Sequence, residues 1–166
     1  EWTIRICGAS GGRRRRRRSS FASTCTSCRT TRTTSPRSCA LNTSLLIDGS
    51  YELRARATDA AGNVADSALT RVVDNNAPTG SVPALAPLRG TIDISLIADD
   101  GAGSGVASVT GQFRQSGGST WTDVCTDTTA PYACTGLDTT PYPDGLYEAR
   151  EIVVDKAGFS TTSAIV

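Results

Sequence analysis

Histidine and methionine are absent from the 166 residues, and only 5% are aromatic. Without histidine the chain lacks the usual general base of Ser-His-Asp and Cys-His nucleophile systems, and the commonest metal ligand. Asp and Glu are scattered over turns and polar faces, with no helical scaffold to form a pocket around a carboxylate pair. The sequence therefore points away from an enzyme. No apolar run approaches the roughly 18 residues that cross a bilayer as a helix. No signal-peptide pattern is present, and the chain begins at Glu1 rather than Met, as an excerpt of a longer protein would.

What is plentiful is Thr, Ser, Gly and Asp, with 38% apolar residues. That balance fits short, half-buried strands joined by many turns. The net charge of +1 selects no partner, but the arginines concentrate before Pro36, six of them consecutive from Arg13 to Arg18. Six cysteines in a Thr/Ser-rich β chain favour disulfides and an oxidising compartment.

An internal repeat organises the rest. Asp48-Gly-Ser-Tyr-Glu-Leu-Arg aligns without a gap with Asp144-Gly-Leu-Tyr-Glu-Ala-Arg, an offset of 96 residues that holds through Ala68 and Ala164 with ten of 21 positions identical. Upstream, Trp2-Thr3 matches Trp121-Thr122, and Cys39 falls near Cys134. In the second repeat, strands are predicted at 91–98, 106–115, 120–124, 132–137, 146–154 and 161–166. Ile92, Ile94 and Leu96 share one face, as do Val109 and Phe113. Tyr147, Ala149 and Val153 share another, and Glu151 falls among them as an unexplained break. Short strands separated by turn signals predict an all-β sandwich. Tyr51 and Tyr147 each follow Asp-Gly-x, as in a tyrosine corner; a plain turn before a strand Tyr is the alternative.

The predicted organisation is a partial repeat over residues 1–76 and a complete sandwich over 77–166, joined at Asn75-Asn76-Ala77-Pro78. Pro78 favours an extended link there. The partial repeat holds only later strands, which cannot close a sandwich alone and leave edges exposed. Residues 8–38 interrupt it with an Arg/Ser/Thr/Cys-rich insertion too poor in apolar residues to bury a core, hence predicted to be disordered. Its composition resembles GC-rich coding sequence translated out of frame.

The segments Ala57-Thr-Asp-Ala-Ala-Gly-Asn63, Val73-Asp-Asn-Asn-Ala-Pro-Thr79 and Asp144-Gly-Leu-Tyr-Glu148 together resemble bacterial Ig-like repeats, found in large surface-anchored or secreted proteins, notably of actinobacteria. The resemblance covers about residues 39–166. It implies an immunoglobulin-like β-sandwich that serves as a spacer or adhesive stalk outside the cell or on its surface, with neighbouring repeats of the same chain as partners. It supplies no catalytic residues.

Several residues remain as candidates for chemistry. Asp99, Asp100 and Asp155 end strands at what should be one pole of the second repeat, and the linker residue Asp74 should reach that pole. Such carboxylates could hold Ca²⁺, which takes six to eight oxygen ligands; turn-forming, solvated aspartates are the alternative. Cys125 and Cys134 enclose a short loop whose closure by a disulfide is worth about 2–3 kcal/mol in the chain-entropy picture. Cys7 and Cys39 would be the homologous pair; two separate thiols are the alternative to the Cys125–Cys134 bridge. Cys25-Thr-Ser-Cys28, with Cys7 and Cys39, has the makings of a zinc site but no second Cys-x-x-Cys. Arg13 to Arg18 could neutralise the phosphates of a nucleic acid or another polyanion, although a run of like charge is usually a solvated tail. The loops at 99–106 and 155–161 are candidates for contacting carbohydrate or a surface protein. Trp121 would stack on a sugar or belong to the core.

Overall fold

A computed structural model of the chain describes residues 2–8, 20–21 and 41–166, the first two stretches as backbone only. Nearly all of the predicted insertion, with Arg13 to Arg18, Cys25, Cys28 and Cys39, lies outside the described residues, as does the side chain of Cys7. The described residues form strands and turns without a helix, so no helix is long and apolar enough to cross a membrane. The chain divides into two units, Glu1–Asn75 and Asn76–Val166.

The first unit is one antiparallel sheet. Its strands are β1 (Trp2–Gly8), β2 (Ser20–Phe21), β3 (Gly49–Thr58) and β4 (Val64–Val73), in the order β2-β1-β3-β4. Among the described residues, Tyr51 and Val73 are its buried apolar residues, packed with Leu41, Leu46 and Leu53. Nine of the ten β4 residues are exposed, Val64, Leu69 and Val72 among them. Backbone pairing sets Trp2 opposite Ala57, a place held in the second unit by Val109 opposite Val153. The match of Trp2 with Trp121 is therefore corrected: β1 takes the position of the strand that begins at Val106.

The second unit contains β5 (Thr79–Ser81), β6 (Thr91–Ser95), β7 (Ile97–Asp99), β8 (Val106–Gln115), β9 (Thr122–Asp127), β10 (Ala133–Asp138), β11 (Tyr147–Asp155) and β12 (Ser160–Thr162). One sheet runs β12-β11-β8-β9. Facing it, β6 and β7 continue each other across Leu96, whose N–H donates to the Tyr132 carbonyl at 2.9 Å. β7 pairs with β5, and β6 with β10. Val109, Phe113, Ala149 and Val153 from the first sheet meet Val82, Ile94, Leu96 and Cys134 from the other side. Two antiparallel sheets closing over this core, with the penultimate strand β11 central between β8 and β12, make an immunoglobulin-like β-sandwich.

The alternation read in the sequence is the alternation observed. β11 buries every second residue, Ala149, Glu151, Val153 and Asp155, so Glu151 does point inward. β9 begins after Trp121, not before it. The last strand is shorter than predicted, but the backbone keeps pairing past it: Ser163 N–H donates to Glu151 at 2.9 Å, and Ala149 and Val166 exchange bonds of 2.9 and 3.0 Å. β5 was not anticipated; three residues carry too little periodicity to register as a strand.

Candidate functional site

The turn after β11 is built from Asp155. Its N–H donates to the Phe159 carbonyl at 3.0 Å, and its own carbonyl accepts from Gly158 at 3.3 Å. Its carboxylate Oδ1 accepts from the N–H groups of Gly158 and Phe159 at 2.7 and 2.9 Å. Gly158 has a φ of 96°, which glycine adopts without the cost other residues incur.

The equivalent turn in the first unit, 96 residues earlier, is made by Asp59. There Asp59 N–H donates to the Asn63 carbonyl at 3.0 Å and its carbonyl accepts from Gly62 at 3.1 Å. Oδ1 of Asp59 accepts from Ala61 and Asn63 N–H groups at 2.9 and 2.8 Å. Its second oxygen accepts from the Asn63 carboxamide at 2.7 Å. These bonds, the Asn63 side chain first, hold the Asp59 carboxyl below the usual carboxylate range.

The two turns differ at one decisive position. Phe159 stands where Asn63 stands, and a phenyl ring donates no hydrogen bond. Asp155 is only 2% exposed, and its Oδ2 has no hydrogen-bond partner. The Asp100 carboxylate lies beside it in the same unit, with ligand oxygens of the two within 4.8 Å. Asp100 Oδ2 accepts from Gly105 N–H at 2.6 Å. Asp99, by contrast, is exposed and caps its own turn through Gly101 N–H at 3.2 Å. Asp74 belongs to the first unit, directly after β4, and is half-buried. Of the four aspartates singled out in the sequence, the second unit thus brings Asp100 and Asp155 together and turns Asp99 to solvent.

A second polar constellation covers the outer face of β8 and β11. Trp121 is half-buried there, outside the core. The guanidinium groups of Arg114 and Arg150 lie 4.5 and 4.1 Å from its ring centroid, a cation–π arrangement. Arg114 pairs with Glu148 at 2.5 Å, and Ser116 donates to the same carboxylate at 3.1 Å. Arg114 first, then Ser116, holds the Glu148 carboxyl below its usual range. Arg150 donates to the Gln112 carbonyl oxygen at 2.7 Å, and the Gln112 amide donates to Asp123 at 2.5 Å. The alternative of a core Trp121 is corrected: the ring is outside the core, and two arginines lie over it. The alternating Arg114, Gln112, Glu148 and Arg150 were the available signal, since all four occupy outward strand positions.

Cys125 of β9 and Cys134 of β10 form a disulfide with Cα atoms 5.5 Å apart, linking one sheet to the other. Gly111 on β8 lies against it: a Cβ there would stand 2.8 Å from Cys134 Sγ.

No protein-family model and no curated protein matches the chain. Among solved structures it is similar to a tetra-tandem repeat in the extending region of a large adhesion protein, at 20% identity and a TM-score of 0.44 over 99% of this chain and 40% of that one. It is also similar to a stretch of titin domains, at 17% identity and a TM-score of 0.42 over 71% of this chain and 39% of that one. The chain spans about 40% of the length of these structures.

Proposed function

We propose that this chain is a structural repeat module, a spacer or adhesive stalk segment of a bacterial surface or secreted protein, and that it performs no catalysis. The observation that carries this reading is the recurrence of one hydrogen-bonded plan at an offset of 96 residues: the same tyrosine corner, the same Asp-Gly turn and the same pairing of the last two strands. Repetition of a small sandwich suits a part whose task is length and mechanical continuity. The absence of histidine from the sequence and the use of polar residues for turns favour a non-catalytic role. The Cys125–Cys134 bridge favours an oxidising, extracellular setting.

The competing reading is a ligand-binding module, with carbohydrate or a surface protein held at the loops or at Trp121. Glycan-array and cell-binding assays on the full chain and on Trp121→Ala separate the two. A spacer gives no signal that depends on Trp121. Binding abolished by Trp121→Ala with the fold retained would replace the spacer reading.

A divalent cation at the pole of the second unit is favoured by one specific observation, the buried and unpartnered Asp155 Oδ2 beside Asp100. We infer a site for Ca²⁺ there, because the donors are carboxylate oxygens and a hard cation would satisfy the oxygen that Phe159 leaves unbonded. Asp100 and Asp155 would supply protein ligands, and the ion would tie the β7–β8 loop to the β11–β12 turn.

A further inference from the structure

The inner face of β11 carries a group that neither the spacer role nor the cation uses. Glu151 is fully buried, at 0% exposure, and neither of its carboxyl oxygens has a hydrogen-bond partner. It sits between the core residues Ala149 and Val153 on the same strand face. Across from it is Gly80, the middle residue of β5. A Cβ placed on Gly80 would collide with Glu151 Oε1 and Val153 Cγ2. The missing side chain is what leaves room for the carboxyl.

The repeat shows that this position does not require an acid. Ala55 occupies it in the first unit. The strand that covers Glu151 is held by a short ladder. β5 has three residues and pairs with β7 only through Thr79–Asp99, Gly80–Ala98 and Ser81–Ile97. It is an edge strand, so its other side makes no ladder bonds.

We propose that Glu151 is a proton-controlled latch for β5: as a neutral acid it stays sealed beneath Gly80, and as a carboxylate it reaches water by lifting β5 away from β7 and β11.

The groups around Glu151 decide the direction. On β11 it has Ala149 and Val153, and from β5 it meets Gly80 and Ser81. From β7 it faces Ile97, and beside it lies Ser163, whose hydroxyl accepts the Glu151 N–H at 3.0 Å. None of these residues is titratable. The nearest charged residues on β11, Glu148 and Arg150, take the outward positions; Asp155 shares the inner face four positions on, and Asp99 lies two beyond Ile97 on β7. Burial is the dominant effect on the Glu151 carboxyl and raises it above its usual range.

The closed state therefore binds the proton more tightly than the open one. The stabilisation by the neutral acid is complete below the ordinary glutamate pKa of about 4.3 and is lost as pH rises through the raised value. Between those limits the opening constant grows ~tenfold per pH unit, and above them it is flat.

Hydrogen exchange of the β5 and β7 amides in the full chain, corrected for intrinsic exchange rates and followed over pH, tests this. Wild type should lose protection ~tenfold per pH unit within the window. Glu151→Gln should show no slope and higher protection at neutral pH. Carboxyl NMR should find Glu151 titrating above the usual range. Equal slopes in both proteins, or an ordinary Glu151 titration, would overturn the proposal. Should Glu151→Gln fail to fold, Glu151→Ala, which installs the residue of the first unit, serves the same comparison.

Discussion

Tyr51 and Tyr147 make the same bond in the two units: each hydroxyl donates to the carbonyl four residues earlier, Ile47 at 2.9 Å and Pro143 at 3.0 Å. The turns beneath them also match. Leu46 N–H reaches the Thr43 carbonyl at 2.9 Å, and Tyr142 N–H reaches that of Thr139 at 3.1 Å. The Tyr142 and Tyr147 rings meet edge to face, 6.1 Å apart. Each tyrosine thus fastens the entry loop to the start of a central strand. Tyr147→Phe keeps the ring and removes the bond, so it should cost about 1 kcal/mol in chemical denaturation of the second unit. An unchanged midpoint would show that the hydroxyl contributes nothing.

The disulfide ties β9 to β10 across the sandwich, and Gly111 is the residue it rests on. Replacing both Cys125 and Cys134 with Ser should destabilise the second unit by about 2–3 kcal/mol. Gly111→Ala should cost roughly 1–3 kcal/mol through overpacking against sulfur. The two changes share one contact, so the cost of Gly111→Ala should shrink in the Cys-free background. Additive losses in urea denaturation would contradict the packing described.

Much of this was legible in the sequence, for physical reasons that also mark where legibility ends. The alternation of Val109 and Phe113, and of Ala149 and Val153, exposes a buried face because side chains on a strand repeat every two residues. The Asp-Gly-x-Tyr match found the corner. The pole was legible as a cluster of aspartates, but not the turning of Asp99 to solvent, which depends on how the loop after β7 closes. Glu151 looked like an error in the pattern; its place follows from Gly80, on a strand of three residues. The arginines over Trp121 come from β8 and β11, and pairing between strands so far apart in sequence is not written in either one.

The contrast between Asn63 and Phe159 yields a test of the cation site. Added Ca²⁺ should raise the melting temperature of the wild type, the stabilisation approaching about 2.7 kcal/mol at a hundred times the dissociation constant. Asp155→Asn should abolish that response. Phe159→Asn supplies the carboxamide that Asn63 gives Asp59, and should stabilise the calcium-free protein while weakening its calcium response. A wild-type melting curve indifferent to both Ca²⁺ and chelator would remove the ion.

Acid should act on the carboxylates of the outer faces and turns in the sense opposite to Glu151. Glu148 is held below its usual range chiefly by Arg114, Asp127 by the N–H groups of Thr129 and Ala133, and Asp138 by Thr140. Their stabilisation is present above the ordinary carboxylate pKa and is lost as pH falls through the depressed folded values. Urea midpoints should therefore decline on acidification below about pH 4. Arg114→Leu should move the NMR titration of Glu148 upward, and an unmoved Glu148 would show that the pair has no electrostatic role.

Stretching the full chain by its two ends in a single-molecule instrument tests the account most directly. A mechanical module predicts a discrete, cooperative unfolding event for Asn76–Val166. Reducing the disulfide should lengthen that event by about 25 Å, the nine-residue separation at roughly 3.3–3.6 Å per residue less the 5.5 Å that the bridged Cα atoms already span. A smooth entropic extension with no force peak, unchanged by reduction, would contradict it.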